Sequence, residues 1–271
     1  GRLGGCECIP ICKILNNKPV LKVDIYHLNN NAGILCTNMD SLKTYVKSYT
    51  DALKNNHLLG IWDGGPGKVG YEVAKFIYDL KPSISYIPSC VLEPFYFFEK
   101  IKYNSGNIFY KLNEYYKNKT ILIITSHINS CKKQVENNNY MKIFAPYNIF
   151  DNCTFKFVKP PITMGGNNNI DWTIHFDKFK SDVNIIGEFD IALVSCGGYG
   201  MPICNYIYKD LNKSCMYVGG PLQLFFGIIG NRWINHDTIK PYIEKNNKYW
   251  ITPLHEDIPA GARNVEGGCY W

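Results

Sequence analysis

Two apolar runs of this chain end in glycines. Asp190-Ile191-Ala192-Leu193-Val194-Ser195-Cys196 leads into Gly197-Gly198-Tyr199-Gly200-Met201-Pro202, and Ser214-Cys215-Met216-Tyr217-Val218 leads into Gly219-Gly220-Pro221-Leu222-Gln223. A buried strand that ends in glycines ahead of a helix presents backbone N–H groups to a phosphate, so anion binding is the first chemistry these residues suggest. The first turn lacks the third glycine of the dinucleotide fingerprint, but its recurrence matters: two such junctions in one sheet would line a common edge. A third run, Thr120 to Ser126, opens into His127, with Lys132, Lys133 and Gln134 in the helix expected to follow. Arg2 adds a planar fork suited to phosphate. Proton transfer near such a ligand needs a base, and Asp63, Glu93 and His127 are the candidates.

Each of these residues has a structural alternative. Asp63 precedes Gly64-Gly65-Pro66-Gly67 and could shape a turn or cap a helix. Glu93 precedes Pro94 at an expected helix start, where the dipole favours an acid without any catalytic task. Glu7 could be the first-turn acid of a helix from Cys6 to Leu15, Arg2 could pair with a core carboxylate, and Gly197 to Gly200 could be a close-packing turn. His127 follows a strand at the ligand-facing edge, which sets it apart from an ordinary buried histidine.

The elements that must position these groups alternate short apolar runs with amphipathic stretches, the pattern of an α/β fold with a mainly parallel twisted sheet flanked by helices. Strands are expected at Leu21 to Tyr26, Leu58 to Trp62, Ile84 to Ile87, Thr120 to Ser126, Thr154 to Val158, Phe189 to Cys196 and Ser214 to Val218. Asp40-Ser41 should cap a helix through Asn55 with Leu42, Tyr45, Val46, Tyr49 and Leu53 on one face. Further helices are expected from Pro66 or Gly67 to Leu80, after His127, from Asp171 to Val183, and with Pro202 in a first turn. The Pro- and Gly-rich stretch from Ala145 to Asn169 divides a single domain over 1–271 into two possible lobes, about 1–145 and 146–271. The asparagine runs at 29–31, 137–139 and 167–169 read as loop tips.

With 271 residues, 46% of them hydrophobic, the chain can bury a large core. A net charge of +6 without an Arg-rich block argues against nucleic acid and suits a small anionic ligand. No apolar segment reaches the roughly 18 residues needed to cross a bilayer, and no leader opens the chain. Eleven cysteines without framework spacing indicate a reducing, cytoplasmic setting. Cys6, Cys8 and Cys12 lack the paired spacing of structural zinc. The sequons at Asn118, Asn152 and Asn212 are expected by chance in an Asn-rich chain. Trp62, Trp233, Trp271 and the apolar tail Cys269-Tyr270-Trp271 are candidates to border a sugar site.

The opening Arg2-Leu3-Gly4-Gly5-Cys6-Glu7 resembles the arginine-glycine-acid turn of the GT-D class of glycosyltransferases. The chain also resembles glycosyltransferase-like proteins of polysaccharide clusters at Asn30 to Gly33, Gly60 to Trp62, Leu92 to Pro94, Gly197 to Pro202, Val218 to Gly227, Gly230 to Trp233 and Val265 to Trp271. The resemblance implies a Rossmann-like GT-D-type fold and transfer of a sugar from a nucleotide-diphosphate donor to a hydroxyl of a glycan acceptor. It places Glu7, Asp63 and Glu93 in catalysis. It places Arg2, Gly4, Asn31, Ser126, His127, Lys133, Gln134, Gly197, Gly198, Tyr199, Gly200, Gly219, Gly220 and Gln223 around the nucleotide sugar. Where metal-dependent members carry an aspartate, this chain has Gly5, leaving Glu7 as the lone metal ligand of the motif. The implied choice is between Mn²⁺ or Mg²⁺ with help from Asp63 and no metal at all. The abrupt start suggests a domain from a longer chain, and the Asn/Lys/Ile-rich composition a large DNA virus, with the protein in the host cytoplasm. The rival readings are a non-catalytic nucleotide-sugar or glycan-binding module and a phosphate-ester hydrolase.

Overall fold

The computed structural model describes residues 1–61, 68–80, 85–88, 107–145, 148–166, 168–237 and 239–271. Two apolar runs, β3 (Thr120–Thr125) and β5 (Ile191–Ser195), are the central strands of a four-stranded parallel sheet ordered β4-β3-β5-β6, with β4 at Thr154–Val158 and β6 at Ser214–Tyr217. Their continuous hydrophobicity follows from burial on both faces. Leu122, Ile124, Ala192 and Val194 point into one core layer, and Ile121, Ile123, Ile191 and Leu193 into the other. The first layer holds α1 (Gly5–Leu15), α2 (Lys22–Ala32), α3 (Met39–Asn55), α7 (Trp172–Ile185) and α8 (Gly200–Lys209); the second is rich in aromatic rings, among them Phe150, Phe226, Trp233 and Trp250. The chain is thus α/β with a parallel sheet between helical layers, compatible with a Rossmann-like arrangement.

A second parallel pair joins β1 (Leu58–Ile61) to β2 (Ser85–Pro88), with α4 (Val69–Leu80) between them in sequence. The opening residues run beside β1: the Gly60 N–H donates to the Gly1 carbonyl at 2.7 Å and the Leu3 N–H to the Gly60 carbonyl at 3.0 Å. This pairing delivers Arg2 and the start of α1 to the carboxyl end of the strand. The helices α5 (Asn107–Tyr116) and α6 (Ile128–Glu136) flank β3 in sequence. The stretch separating the two possible lobes does not interrupt the large sheet: β3 precedes it, β4 lies within it and pairs with β3, and β5 follows.

Three sequence expectations are corrected. Leu21 to Tyr26 is not a strand: α2 starts there, because Asp24 accepts from the Leu21 N–H at 2.6 Å and from Lys13 Nζ at 2.5 Å and so fixes a helical first turn. Its Leu21, Val23 and Tyr26 are exposed rather than packed in a sheet. Asn29 to Asn31 close that same helix instead of forming a loop tip, and Gly33 ends it at φ 75°. The cap of α3 is Asn38, whose Oδ1 accepts from the Ser41 N–H at 2.9 Å, while the expected apolar face from Leu42 to Leu53 is buried as read. The sequon asparagines have a conformational role. Asn118, Asn152 and Asn212 take φ values of 61°, 52° and 51°, each two residues ahead of a strand, where a left-handed turn suits Asn better than most side chains.

Candidate functional site

The four-stranded sheet ends on a cavity of about 410 Å³, which the opening residues beside β1 also reach. Arg2, Gly4 and Glu7 reach it from β1's neighbour and α1, Asn31 from α2, Ser126 and His127 from the end of β3, Gly197 from the end of β5, and Gly219 and Gly220 from the end of β6. That is the crevice at the carboxyl ends of parallel strands where α/β folds bind ligands.

Arg2 ties the two sheets together. A Cβ on Gly219 would stand 3.1 Å from Arg2 Nη1, so the guanidinium lies against the glycine's bare backbone. Gly219 adopts φ 74°, ψ −160°, a region essentially closed to other residues. Gly4, the residue before α1, is required for a second reason: the Glu7 carboxyl folds back over it and occupies the space of a side chain. The Gly4 N–H donates to the Tyr49 hydroxyl at 3.2 Å. Glu7 is buried, and burial pushes its carboxyl above the usual range; its own backbone N–H and the Arg2 charge pull the other way, and Glu266 adds to the rise. The Asn31 amide donates to Cys6 Sγ at 3.5 Å and accepts from Asn30 at 2.7 Å.

His127 is buried, with Nδ1 3.3 Å from Ser126 Oγ and Nε2 3.2 Å from the Tyr270 carbonyl oxygen. Desolvation pulls its pKa down to about 4 against the opposing pull of Asp257 and the Tyr270 carbonyl. The tail that supplies this carbonyl packs back as a wall. The Arg232 N–H donates to the Cys269 carbonyl at 2.8 Å, Arg232 Nη1 donates to the Tyr270 hydroxyl at 2.8 Å, Arg232 pairs with Glu266, and Trp271 Nε1 donates to the Asp257 carbonyl at 3.1 Å. Arg232, Glu266, Tyr270 and Trp271 all border the cavity. Arg232 and Glu266 were not singled out in sequence, although both lie in segments that carry the family resemblance.

Other expected ligands are used internally. Gln134 Nε2 donates to the Phe226 and Tyr249 carbonyls at 2.8 and 2.7 Å, and Gln223 Nε2 to the Ile228 carbonyl at 3.2 Å. Both side chains are buried, away from the cavity wall. Lys133 is exposed on α6 and does not border the cavity. Gly198 and Gly200 serve packing, against Ile34 and the Tyr217 ring, and Tyr199 is buried in the core. The N-terminus of α6 is closed by Asp257, which accepts from Asn129 N and Nδ2 at 3.2 and 3.0 Å and from Ser130 N and Oγ at 2.7 and 2.6 Å. Asp63, Glu93 and Trp62 lie outside the described residues.

The described donors do not fit a hard divalent ion. Among the described residues that line the cavity the acids are Glu7 and Glu266, and Glu266 is committed to Arg232, which leaves fewer carboxylate oxygens than such an ion requires. Compared with protein-family models, curated proteins and solved structures, the chain matches none.

Proposed function

We propose that the chain is a glycosyltransferase of GT-D type that moves a sugar from a nucleotide-diphosphate donor to a hydroxyl of a glycan acceptor. The observation that carries this reading is the meeting of Arg2, Glu7 and the glycine turns after β5 and β6 at a single cavity. Transfer builds negative charge on the departing diphosphate, and preorganised cationic and N–H groups lower the barrier by meeting it there. In this scheme Arg2 and the Gly219-Gly220 turn hold the diphosphate. Glu7, buried and folded back over Gly4 at the start of α1, binds a sugar hydroxyl. The acceptor proton goes to Asp63 or Glu93. No step is routed through a metal.

Thermal-shift titration with UDP-, GDP- and dTDP-sugars tests the binding half: one nucleotide series should raise the melting temperature, because a ligand specific to the native state stabilises it. A transfer assay with the stabilising donor then tests chemistry, and Glu7→Gln should abolish turnover while sparing the fold. Melting unchanged by every nucleotide sugar would end the proposal. The non-catalytic module is the second reading, favoured by the scarcity of free carboxylates at the cavity: among the described lining residues Glu7 and Glu266 are the acids, and Glu266 is ion-paired to Arg232. Binding without turnover, with or without Mn²⁺, would select it.

A further inference from the structure

A run of hydrogen bonds on the cavity wall has a direction that follows from the acceptor at its end. The Tyr270 carbonyl oxygen can only accept, so His127 Nε2, 3.2 Å away, must carry a proton. The buried imidazole is neutral near pH 7 and therefore has one N–H. Nδ1 is then a bare lone pair, and Ser126 Oγ, 3.3 Å from it, is left to donate its single proton there. Two features lock this polarity. The His127 N–H donates to Thr125 Oγ1 at 3.3 Å, which fixes the turn, and the bonds of Arg232 and Trp271 hold the tail that carries the Tyr270 carbonyl. What Ser126 has left is its acceptor lone pairs, on a half-buried side chain that borders the cavity.

We infer that Ser126 faces the cavity as a hydrogen-bond acceptor, so that its part of the wall recognises a hydroxyl-bearing group of the ligand, a sugar ring, and turns phosphate oxygens away. Phosphate oxygens at neutral pH are acceptors, and two acceptors face to face leave both unpaired. A sugar hydroxyl supplies the missing proton. The anion-holding groups lie elsewhere: Gly219, with Arg2 against it, follows β6, which is two strands from β3 in the sheet, roughly 10 Å at the usual strand spacing. Ser126, expected somewhere around the nucleotide sugar, is thereby assigned to its sugar side. The identity of the ligand as a nucleotide sugar rests on the proposed function; the polarity of the wall does not.

The test begins with the side-chain nitrogen shifts of His127 in ¹⁵N-labelled protein at pH 7. A protonated Nε2 with an unprotonated Nδ1 is expected, and the reverse tautomer overturns the inference. Titrations with glucose and with sodium pyrophosphate, followed by backbone amide shifts, come next. Glucose should move Ser126 and His127, and pyrophosphate should move Arg2 and Gly219 while leaving Ser126 in place. Pyrophosphate acting at Ser126, or glucose leaving Ser126 and His127 unmoved, overturns it. If a UDP-sugar binds, Ser126→Ala should lose about 10-fold of its affinity relative to UDP alone, one hydrogen bond's worth, and Ser126→Thr should retain it. Equal loss for UDP and for the UDP-sugar overturns the inference. If no nucleotide binds, the transferase reading fails, and the glucose and pyrophosphate titrations still decide the polarity of the wall.

Discussion

Helices α6 and α8 begin in the same way and end with different roles. Both follow central, adjacent, parallel strands whose last residues, Thr125 and Ser195, are in register. At α6 the first-turn N–H groups of Asn129 and Ser130 are held by Asp257, brought back from far along the chain. At α8 no such carboxylate arrives from the described residues. The turn before it uses its carbonyls instead, Gly197 accepting from the Tyr217 hydroxyl at 3.0 Å and Gly198 from the Tyr45 hydroxyl at 2.9 Å, and Gly197 borders the cavity. The difference shows that a strand-to-helix junction is left open to an outside anion only where the fold supplies no anion of its own.

The strongest test of this contrast is Asp257→Ala. Removing a buried carboxylate that serves four donors should cost about 4 kcal/mol in urea denaturation, since each donor left unsatisfied carries its own penalty. A loss below about 1 kcal/mol would erase the distinction between the two helices.

Next in size is the acid response of His127. Its pKa falls from 6.5 in the unfolded chain to about 4 in the fold, so its contribution is intact above pH 6.5 and is lost as the pH drops toward 4. The loss amounts to about 3 kcal/mol, and His127→Gln should flatten the stability profile across that window. A variant with an unchanged profile would place the acid response elsewhere.

Gly219→Ala should cost about 2 kcal/mol from backbone strain. It should also weaken nucleotide binding by displacing Arg2, which calorimetry with UDP would register; intact binding would detach Arg2 from the anion end of the cavity. The smallest effect is that of Glu7→Gln, and its sign is opposite to that of His127. A carboxyl whose folded pKa is raised contributes most at low pH and loses that contribution as the pH rises through the folded value. The variant should therefore melt slightly above the parent at pH 7, with the advantage gone near pH 4.5, in thermal scans at the two pH values.

Much of the fold was legible in the residues. The runs at Leu58, Thr120, Thr154, Phe189 and Ser214 became strands with ends displaced by at most two residues. The helix expected from Asp171 to Val183 is α7, with Asp171 as its cap accepting from the Thr173 N–H at 3.1 Å. Leu21 to Tyr26 misled because a short alternation of apolar and polar residues also fits one turn of an exposed helix, and a carboxylate three residues on decided between the two. Of the site, Arg2, Glu7, Ser126, His127 and the glycines at 197, 219 and 220 were legible, because each stands at the end of an apolar run or in the opening motif. Arg232 and Glu266 were not, because nothing local sets them apart from surface charges until the tail folds back.

What this sequence determined by itself is a parallel α/β sheet with glycine turns at its carboxyl edge, since strand burial and turn geometry depend on neighbours a few residues apart. Which turns are left open to the cavity was decided by tertiary contacts: the reach of Asp257 to α6 across 128 residues, of Tyr270 to His127 across 143, and of Arg2 to Gly219. Those contacts set where charge and hydrogen-bond capacity are already satisfied, and no local pattern in the chain encodes them.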